Sequence, residues 1–227
     1  YYRQETINAR SGVHTPRSTL AAWAGMAGAA MAPLYEAQKR FVLSGAVLQA
    51  DETPVRLRDP GSGKTKKAYI WAYARGAFDA TPGVVYDFCL GRGAQYPLDF
   101  LAKWTGTLVC DDYKAYDSVV RVEGRIEAGC VAHSRRKFDE LFKANGSPVA
   151  AEAVQRIALL YQLERDARSM TPADRLAARQ QRSKRLWDEL HEWLVLERAR
   201  VLDGSGIAGA IDYSLNRWDA LGRFLLD

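Results

Sequence analysis

Two aspartates, Asp51 and Asp111, stand 60 positions apart, each closing a short apolar run: Ala46-Val47-Leu48-Gln49-Ala50 before the first, Thr107-Leu108-Val109-Cys110 before the second. Hard divalent cations take carboxylate oxygens, and Mg2+ is commonly held by one or two of them together with substrate phosphates. Two such ions about 3.5–4 Å apart activate an attacking oxygen and stabilise a leaving one. The plainer reading is a pair of strand-end acids that face solvent or cap the next helix. The apolar runs weigh against it, because a carboxylate buried without a partner is costly. Asp112 follows Asp111, and consecutive strand residues point to opposite faces, so only one of them can face a site with Asp51. The pattern alone does not choose between them.

Cys130 and His133 form a Cys-x-x-His pair. As a structural zinc site it is incomplete, since four ligands are the norm and no second pair follows. A buried cysteine and a helix-starting histidine are the plain alternative. Arg135, Arg136 and Lys137 come next, at the expected start of a helix, where their charge opposes the helix dipole. That placement suits phosphate contact better than stability. Gly61-Ser62-Gly63-Lys64-Thr65 invites a phosphate-loop reading, but the motif needs glycine five positions before Gly63, where Arg58 stands, and a strand follows instead of a helix. ATP or GTP binding is rejected on that ground. Residues 56–75 nonetheless hold six basic side chains, Lys64, Lys66 and Lys67 among them, against the single acid Asp59. Their net +5 equals that of the whole chain, so the basic excess is local. A solvated hairpin competes with a DNA-phosphate contact as its explanation.

Positioning these residues requires elements that the chain spells out in order. Strands are predicted at 46–51, 68–75, 83–90, 107–111 and 125–131 from short runs rich in β-branched and aromatic residues. Helices are predicted up to about 43, with Thr15 as N-cap before Pro16 and a break near Pro33. Others follow at 96–104, 115–120, 134–144, 148–169, 172–202 and 207–226. Three consecutive strands imply an antiparallel meander, and two further strands separated by helices imply parallel additions. That order is α/β and matches a ribonuclease-H-like mixed sheet, three antiparallel strands plus two parallel, with an N-terminal helical arm and a C-terminal helical insertion. In such a sheet the strands of Asp51 and Asp111 are neighbours. The expected divisions are a helical arm over 1–44 as a candidate DNA-binding segment, a catalytic core over 45–144, and a helical insertion over 145–227.

Composition agrees with a folded chain: 227 residues, 48% hydrophobic and 26% charged. No apolar run reaches the ~18 residues of a membrane span. Three widely spaced cysteines with no CxxC pair exclude a disulfide framework and suggest a reducing, cytoplasmic setting. The polar N-terminus lacks the apolar core of a signal peptide and a starting Met, so the chain is expected to be a fragment.

Three segments together carry a resemblance. Ala50-Asp51-Glu52-Thr53-Pro54-Val55 with Gly63-Lys64-Thr65-Lys66 and Tyr69-Ile70-Trp71 is the first. Leu108-Val109-Cys110-Asp111-Asp112-Tyr113-Lys114-Ala115-Tyr116 is the second, and Gly129-Cys130-Val131-Ala132-His133-Ser134-Arg135-Arg136-Lys137-Phe138 the third. With their order, the chain resembles the DDE transposases of bacterial insertion sequences, family sixty-six, from about Thr15 to Asp227. The resemblance implies metal-dependent DNA cleavage and strand transfer, with Asp51 and Asp111 as the first two catalytic acids holding Mg2+ (or Mn2+). Where the family has Gly after the second acid, this chain has Asp112. It further implies a role near the active site for His133, which could contact the scissile phosphate or orient a carboxylate; Lys64, Lys66, Lys67, Arg135 and Arg136 are the expected DNA contacts. The implied partners are element-end and target DNA, further copies of the chain on that DNA and helper proteins, with no membrane. The third acid is expected in an Asn-Asn-x-x-Glu-Arg segment beyond Asp227, since the chain contains no Asn-Asn pair. Residues 1–227 alone are therefore expected to be inactive. Glu140 is the best internal substitute, but it lies about 10 Å along a helix from His133. A catalytically silent DNA-binding remnant and a ribonuclease-H-like nuclease are the competing functions.

Overall fold

A computed structural model describes residues 1–59, 61–76 and 78–226. Three helices lead: α1 (Tyr2–Arg10), α2 (Arg17–Ala30) and α3 (Ala32–Leu43). The break expected near Pro33 falls at Met31, and Pro33 sits in the first turn of α3, where its missing N–H interrupts nothing. Thr15 does not cap α2. Pro16, extended at ψ 142°, takes the N-cap position, so helical geometry begins one residue later and no side chain caps it.

The sheet is built from β1 (Val47–Asp59), β2 (Lys64–Arg75) and β3 (Val84–Cys89), then α4 (Gln95–Leu101), β4 (Gly106–Cys110), α5 (Ala115–Val120) and β5 (Arg125–Gly129). Its strand order is β3-β2-β1-β4-β5. The first three strands pair antiparallel, while β4 and β5 add in parallel, with Leu48 opposite Leu108. This is the expected ribonuclease-H-like mixed sheet. One face carries the first core, where Leu48, Ala50, Trp71, Tyr73, Leu108 and Cys110 meet Phe100, Leu101 and Tyr116 from α4 and α5. The Tyr73 ring stacks on Phe100 at 4.0 Å. Trp104 ties its indole N–H to the Gly45 carbonyl at 2.9 Å.

β1 does not stop at Asp51, as its apolar run suggests, but continues to Asp59, paired with β2 throughout. β4 accompanies β1 only as far as Gln49, and β3 accompanies β2 only from Tyr69 onward. The segment read as a connector is therefore a two-stranded ribbon projecting from the sheet. Gly61 and Gly63 supply the positive φ its turn requires, +87° and +65°. Val55 and Leu57 alternate there with Arg56 and Arg58, and the first two are half-buried while the second two are exposed. Pro54 is tolerated because β1 has a partner on only one side there.

The remaining helices are α6 (Val131–Asn145), α7 (Pro148–Asp166), α8 (Pro172–Ala178), α9 (Lys184–Arg198), α10 (Gly206–Asn216) and α11 (Trp218–Leu221). A π-helical turn (Arg179–Ser183) interrupts what reads as one helix over 172–202, and a 3-10 turn (Gly222–Leu226) follows α11. Ser147, Thr171 and Ser205 cap α7, α8 and α10 through their hydroxyls. The helices share a second core around Phe138, Ile157, Leu160, Trp187, Leu194 and Ile211. Trp187 stacks on Trp218 at 4.0 Å. No described helix is long and apolar enough to cross a membrane, and Cys89, Cys110 and Cys130 are free thiols.

α6 starts at Val131, three residues before the expected start. Cys130 is extended, and its carbonyl accepts from the N–H groups of His133 and Ser134, at 3.0 and 3.4 Å. Arg135, Arg136 and Lys137 thus lie past the first turn, where the dipole's opposition has largely faded.

The two cores meet at the end of β5. A Cβ on Gly129 would lie 2.9 Å from the backbone N of Leu221, and backbone cannot swing aside as a side-chain tip can. Gly129→Ala should therefore destabilise the fold by about 1–3 kcal/mol in urea denaturation. An unchanged midpoint would show that α11 packs there with slack.

Candidate active site

Leu48, Ala50, Leu108 and Cys110 belong to the first core, so strand alternation turns Gln49, Asp51, Val109 and Asp111 to the opposite face. Gln49 pairs with Val109. That is the last pair before the strands part; Asp51 and Asp111 each lie two residues further on, and the fields of both reach His133. Asp51 is exposed and, among the described residues, its side chain makes no hydrogen bond or ion pair. Asp111 is half-buried just past β4, and its Oδ1 accepts the Tyr113 N–H at 3.0 Å, which leaves the other oxygen uncommitted. Asp112 is engaged elsewhere. Arg217, at the end of α10, pairs with it at 3.1 Å, holds Glu127 at 2.6 Å and reaches the Asp111 carbonyl at 3.5 Å.

His133, on the first turn of α6, completes the cluster. Its side-chain contact with Cys130 pushes the imidazole pKa up, and the fields of Asp111 and Asp51 push it the same way. Burial alone would raise the Cys130 thiol, but contact with His133 outweighs burial and brings it down. The imidazole Nδ1 is buried without a hydrogen-bond partner. Tyr213, from α10, borders the same space: burial first, then Asp111 and Asp112, push its phenol up to about 12. Its ring lies 4.4 Å from the Lys137 ammonium.

The structure thus brings Asp51, Asp111 and His133 together. Arg135 and Arg136 lie further along α6. Lys64, Lys66 and Lys67 stand exposed on the ribbon that leaves the sheet just beyond Asp51. Lys66 bonds Asp59 at 2.9 Å. Among the described residues no three His, Cys, Asp or Glu side chains are grouped to hold a metal ion. The donor set at Asp51 and Asp111 is two oxygen-bearing carboxylates. It suits a hard cation that fills its remaining positions with substrate phosphate and water, and suits zinc poorly.

Glu52 escapes a reading centred on Asp51. It lies on the buried face with its side chain 1% exposed. Arg92 donates to it through Nε at 2.7 Å and through Nη2, and the Tyr116 hydroxyl donates at 2.9 Å. Burial pushes the Glu52 carboxyl up, against the pull of Arg92 and Tyr116. The Arg92 guanidinium lies 3.6 Å over the Tyr113 ring, and the Tyr113 hydroxyl donates to the Arg92 carbonyl at 2.6 Å. A closed chain of contacts therefore runs from the neighbour of Asp51, through Arg92 and Tyr113, to Asp111. The signal for Glu52 is in the sequence: it stands in phase with Leu48 and Ala50.

The fold class is ribonuclease-H-like, with an aspartate on each of two neighbouring strands just beyond the point where β4 parts from β1. Within that class, the family model described as Transposase IS66 family matches residues 1–227, and the chain belongs to this family. Its role is accordingly transposase-related. It is also similar to three proteins of Sinorhizobium fredii (strain NBRC 101917 / NGR234), each named as an uncharacterized protein. The chain is 37% identical to y4qI over 100% of its own length and 44% of that protein's. It is 35% identical to y4jD over 100% of its length and 46% of the relative's. For y4hP the figures are 34%, 95% and 42%. The chain thus spans less than half the length of these relatives.

Glu52→Ala should cost about 2 kcal/mol, because it strips the partner from Arg92 and from the buried Tyr116 hydroxyl. Arg92 is partly exposed and can rehydrate, which keeps the loss below that of a fully buried pair. Glu52→Gln, which keeps an acceptor, should cost less. Equal midpoints for Glu52→Ala and the parent chain in guanidinium denaturation would remove the stabilising role.

Proposed function

We propose that these residues form the greater part of the catalytic core of a transposase that cuts DNA at the ends of an insertion sequence and joins it to a target. Water would hydrolyse the phosphodiester at the element's end. The freed 3′-hydroxyl would then attack a target phosphorus in line, forming one ester bond as another breaks. The observation that supports this reading is that Asp51 and Asp111 each follow the last β1–β4 pair by two residues, with His133 in the field of both. Asp51 and Asp111 would hold Mg2+ (or Mn2+), which when bound supplies charge to the reacting phosphate and makes the attacking oxygen more nucleophilic. His133, whose pKa is raised by Cys130 and by the fields of Asp111 and Asp51, would hold a non-bridging phosphate oxygen. Tyr113 fixes the Asp111 carboxylate through its N–H, and Arg217 keeps Asp112 out of the site. Lys64, Lys66 and Lys67 on the ribbon, with Arg135 and Arg136 on α6, would lie along the DNA backbone.

A third acid is proposed from elsewhere in a longer polypeptide. Among the described residues Glu127 is bound to Arg217, Glu52 faces away, and Glu140 is exposed further down α6. The relatives are more than twice the chain's length, which supports the same reading. Further copies of the chain on the DNA and helper proteins remain part of the proposal.

Asp111→Asn in the full-length polypeptide should abolish Mg2+-dependent cleavage of element-end DNA while leaving the thermal transition in place. Asp112→Asn should retain cleavage, and residues 1–227 alone should bind DNA without cutting it. Loss with Asp112→Asn and retention with Asp111→Asn would move the ligand by one position. Cleavage without joining would favour a nuclease, and neither activity in the full-length protein a silent remnant.

Replacing Lys64, Lys66 and Lys67 with Ala should weaken DNA binding evenly across sequences. The salt dependence should flatten by about 1 in slope for each lysine that meets a phosphate. An unchanged slope in anisotropy titrations would return the ribbon to a solvated surface.

A further inference from the structure

Between α6 and α7 lies an open pocket of about 390 Å3 lined by Ala132, Arg135, Ala158, Tyr161 and Arg165. Ala132 adjoins His133 in the chain, and the Tyr161 phenol lies within the fields of both Cys130 and Arg135. The pocket therefore continues the surface of the candidate active site into the helical part of the molecule. Two guanidinium groups and a phenol line one concave space that no carboxylate lines.

Several of the arginines around them are paired. Arg156 pairs with Glu152 at 2.8 Å, Arg179 with Glu164 at 2.6 Å, Arg185 with Glu189 at 2.8 Å and Arg198 with Asp212 at 2.6 Å. Among the described residues Arg135 and Arg165 have no ion pair. Arg165 donates only to the Gln162 side-chain oxygen, at 2.6 Å, and Asp139, one turn beyond Arg135, is bonded to Lys143 at 2.7 Å. Arg135 acts on Asp139 through its field alone, and two positive charges at one concavity repel each other until an anion enters. A guanidinium presents paired N–H donors matched to the oxygens of a phosphate. Burial pushes the Tyr161 phenol up, which keeps its O–H as a third donor.

We propose that Arg135, Tyr161 and Arg165 form a phosphodiester subsite, which holds the DNA backbone on the flank of the reacting phosphate. It rests on the reading of the chain as a DNA-cutting core. It assigns α7 a binding role. The subsite grips backbone and reads no base, so its contribution is the same for every sequence.

The test is fluorescence anisotropy of residues 1–227 with a labelled duplex and with one of its single strands, across a range of salt. Arg135→Ala/Arg165→Ala should flatten the salt slope by about 2, one for each phosphate that the variant no longer neutralises. Arg135→Lys/Arg165→Lys should keep the slope while weakening binding, because charge stays and the paired donors go. Tyr161→Phe should weaken binding at an unchanged slope, since the phenol carries no charge. If the parent chain binds DNA and the alanine pair leaves its slope and affinity intact, the subsite is overturned while the DNA-cutting reading stands. If the alanine pair unfolds, the lysine pair and Tyr161→Phe decide the matter: parent affinity in both overturns the subsite. If the parent chain binds neither form of DNA, the subsite and the DNA role of these residues fall together.

Discussion

The pairing of β1 with β4 governs where every chemically useful group stands. Side chains alternate along a strand, so a slip of one residue would carry Asp51 into the core and bring Glu52 out in its place. Hydrophobic burial resists that slip at Leu48, Ala50, Leu108 and Cys110. The polar anchor resists it more specifically, because Glu52 reaches both Arg92 and Tyr116 only in the observed register. An aspartate is one methylene shorter than the glutamate those partners enclose. The sequence Asp51-Glu52 is in this sense two acids of opposite duty: one is left free at the surface because the other is consumed in holding the strand.

The far side of the site depends on how the helices are fastened to the sheet. Arg217 bridges Asp112 and Glu127, which follow or belong to the two parallel strands, and Gly129 lets α11 settle directly on β5. Arg217 gains more from its acids than burial takes from it, so its pKa rises despite its being 13% exposed. Cys130 closes β5 and opens α6 within one residue. His133 is placed by that junction, one helical turn from the strand ends.

Much of this arrangement is legible in the sequence where burial writes a pattern. The apolar runs of β3, β4 and β5 and the short helix α5 are readable, and with them the mixed sheet that makes the strands of Asp51 and Asp111 neighbours. The ribbon half of β1 is not, because the alternation of Val55 and Leu57 with Arg56 and Arg58 is brief and follows a proline. The first turn of α6 is hidden for a different reason: Cys130 through His133 reads equally well as the end of a strand. Contacts that cross the chain are also invisible in advance. Arg92 lies 40 positions from Glu52, and Arg217 lies 90 from Glu127. Composition shows that acids and arginines abound but not which of them meet, and so not which arginines are left over.

The ribbon has a consequence apart from DNA. Beyond Gln49 on one strand and before Tyr69 on the other, its two long sides present main-chain N–H and C=O groups to water. Such sides are templates on which another extended chain can add, and sheet proteins guard them with prolines and with like charges. Pro54, Arg56, Arg58, Lys64 and Lys67 are distributed along just this stretch. The excess positive charge thus keeps ribbon from zipping onto ribbon in a crowded solution. A variant stripped of it would lose colloidal stability, with a growing tendency to form intermolecular sheet.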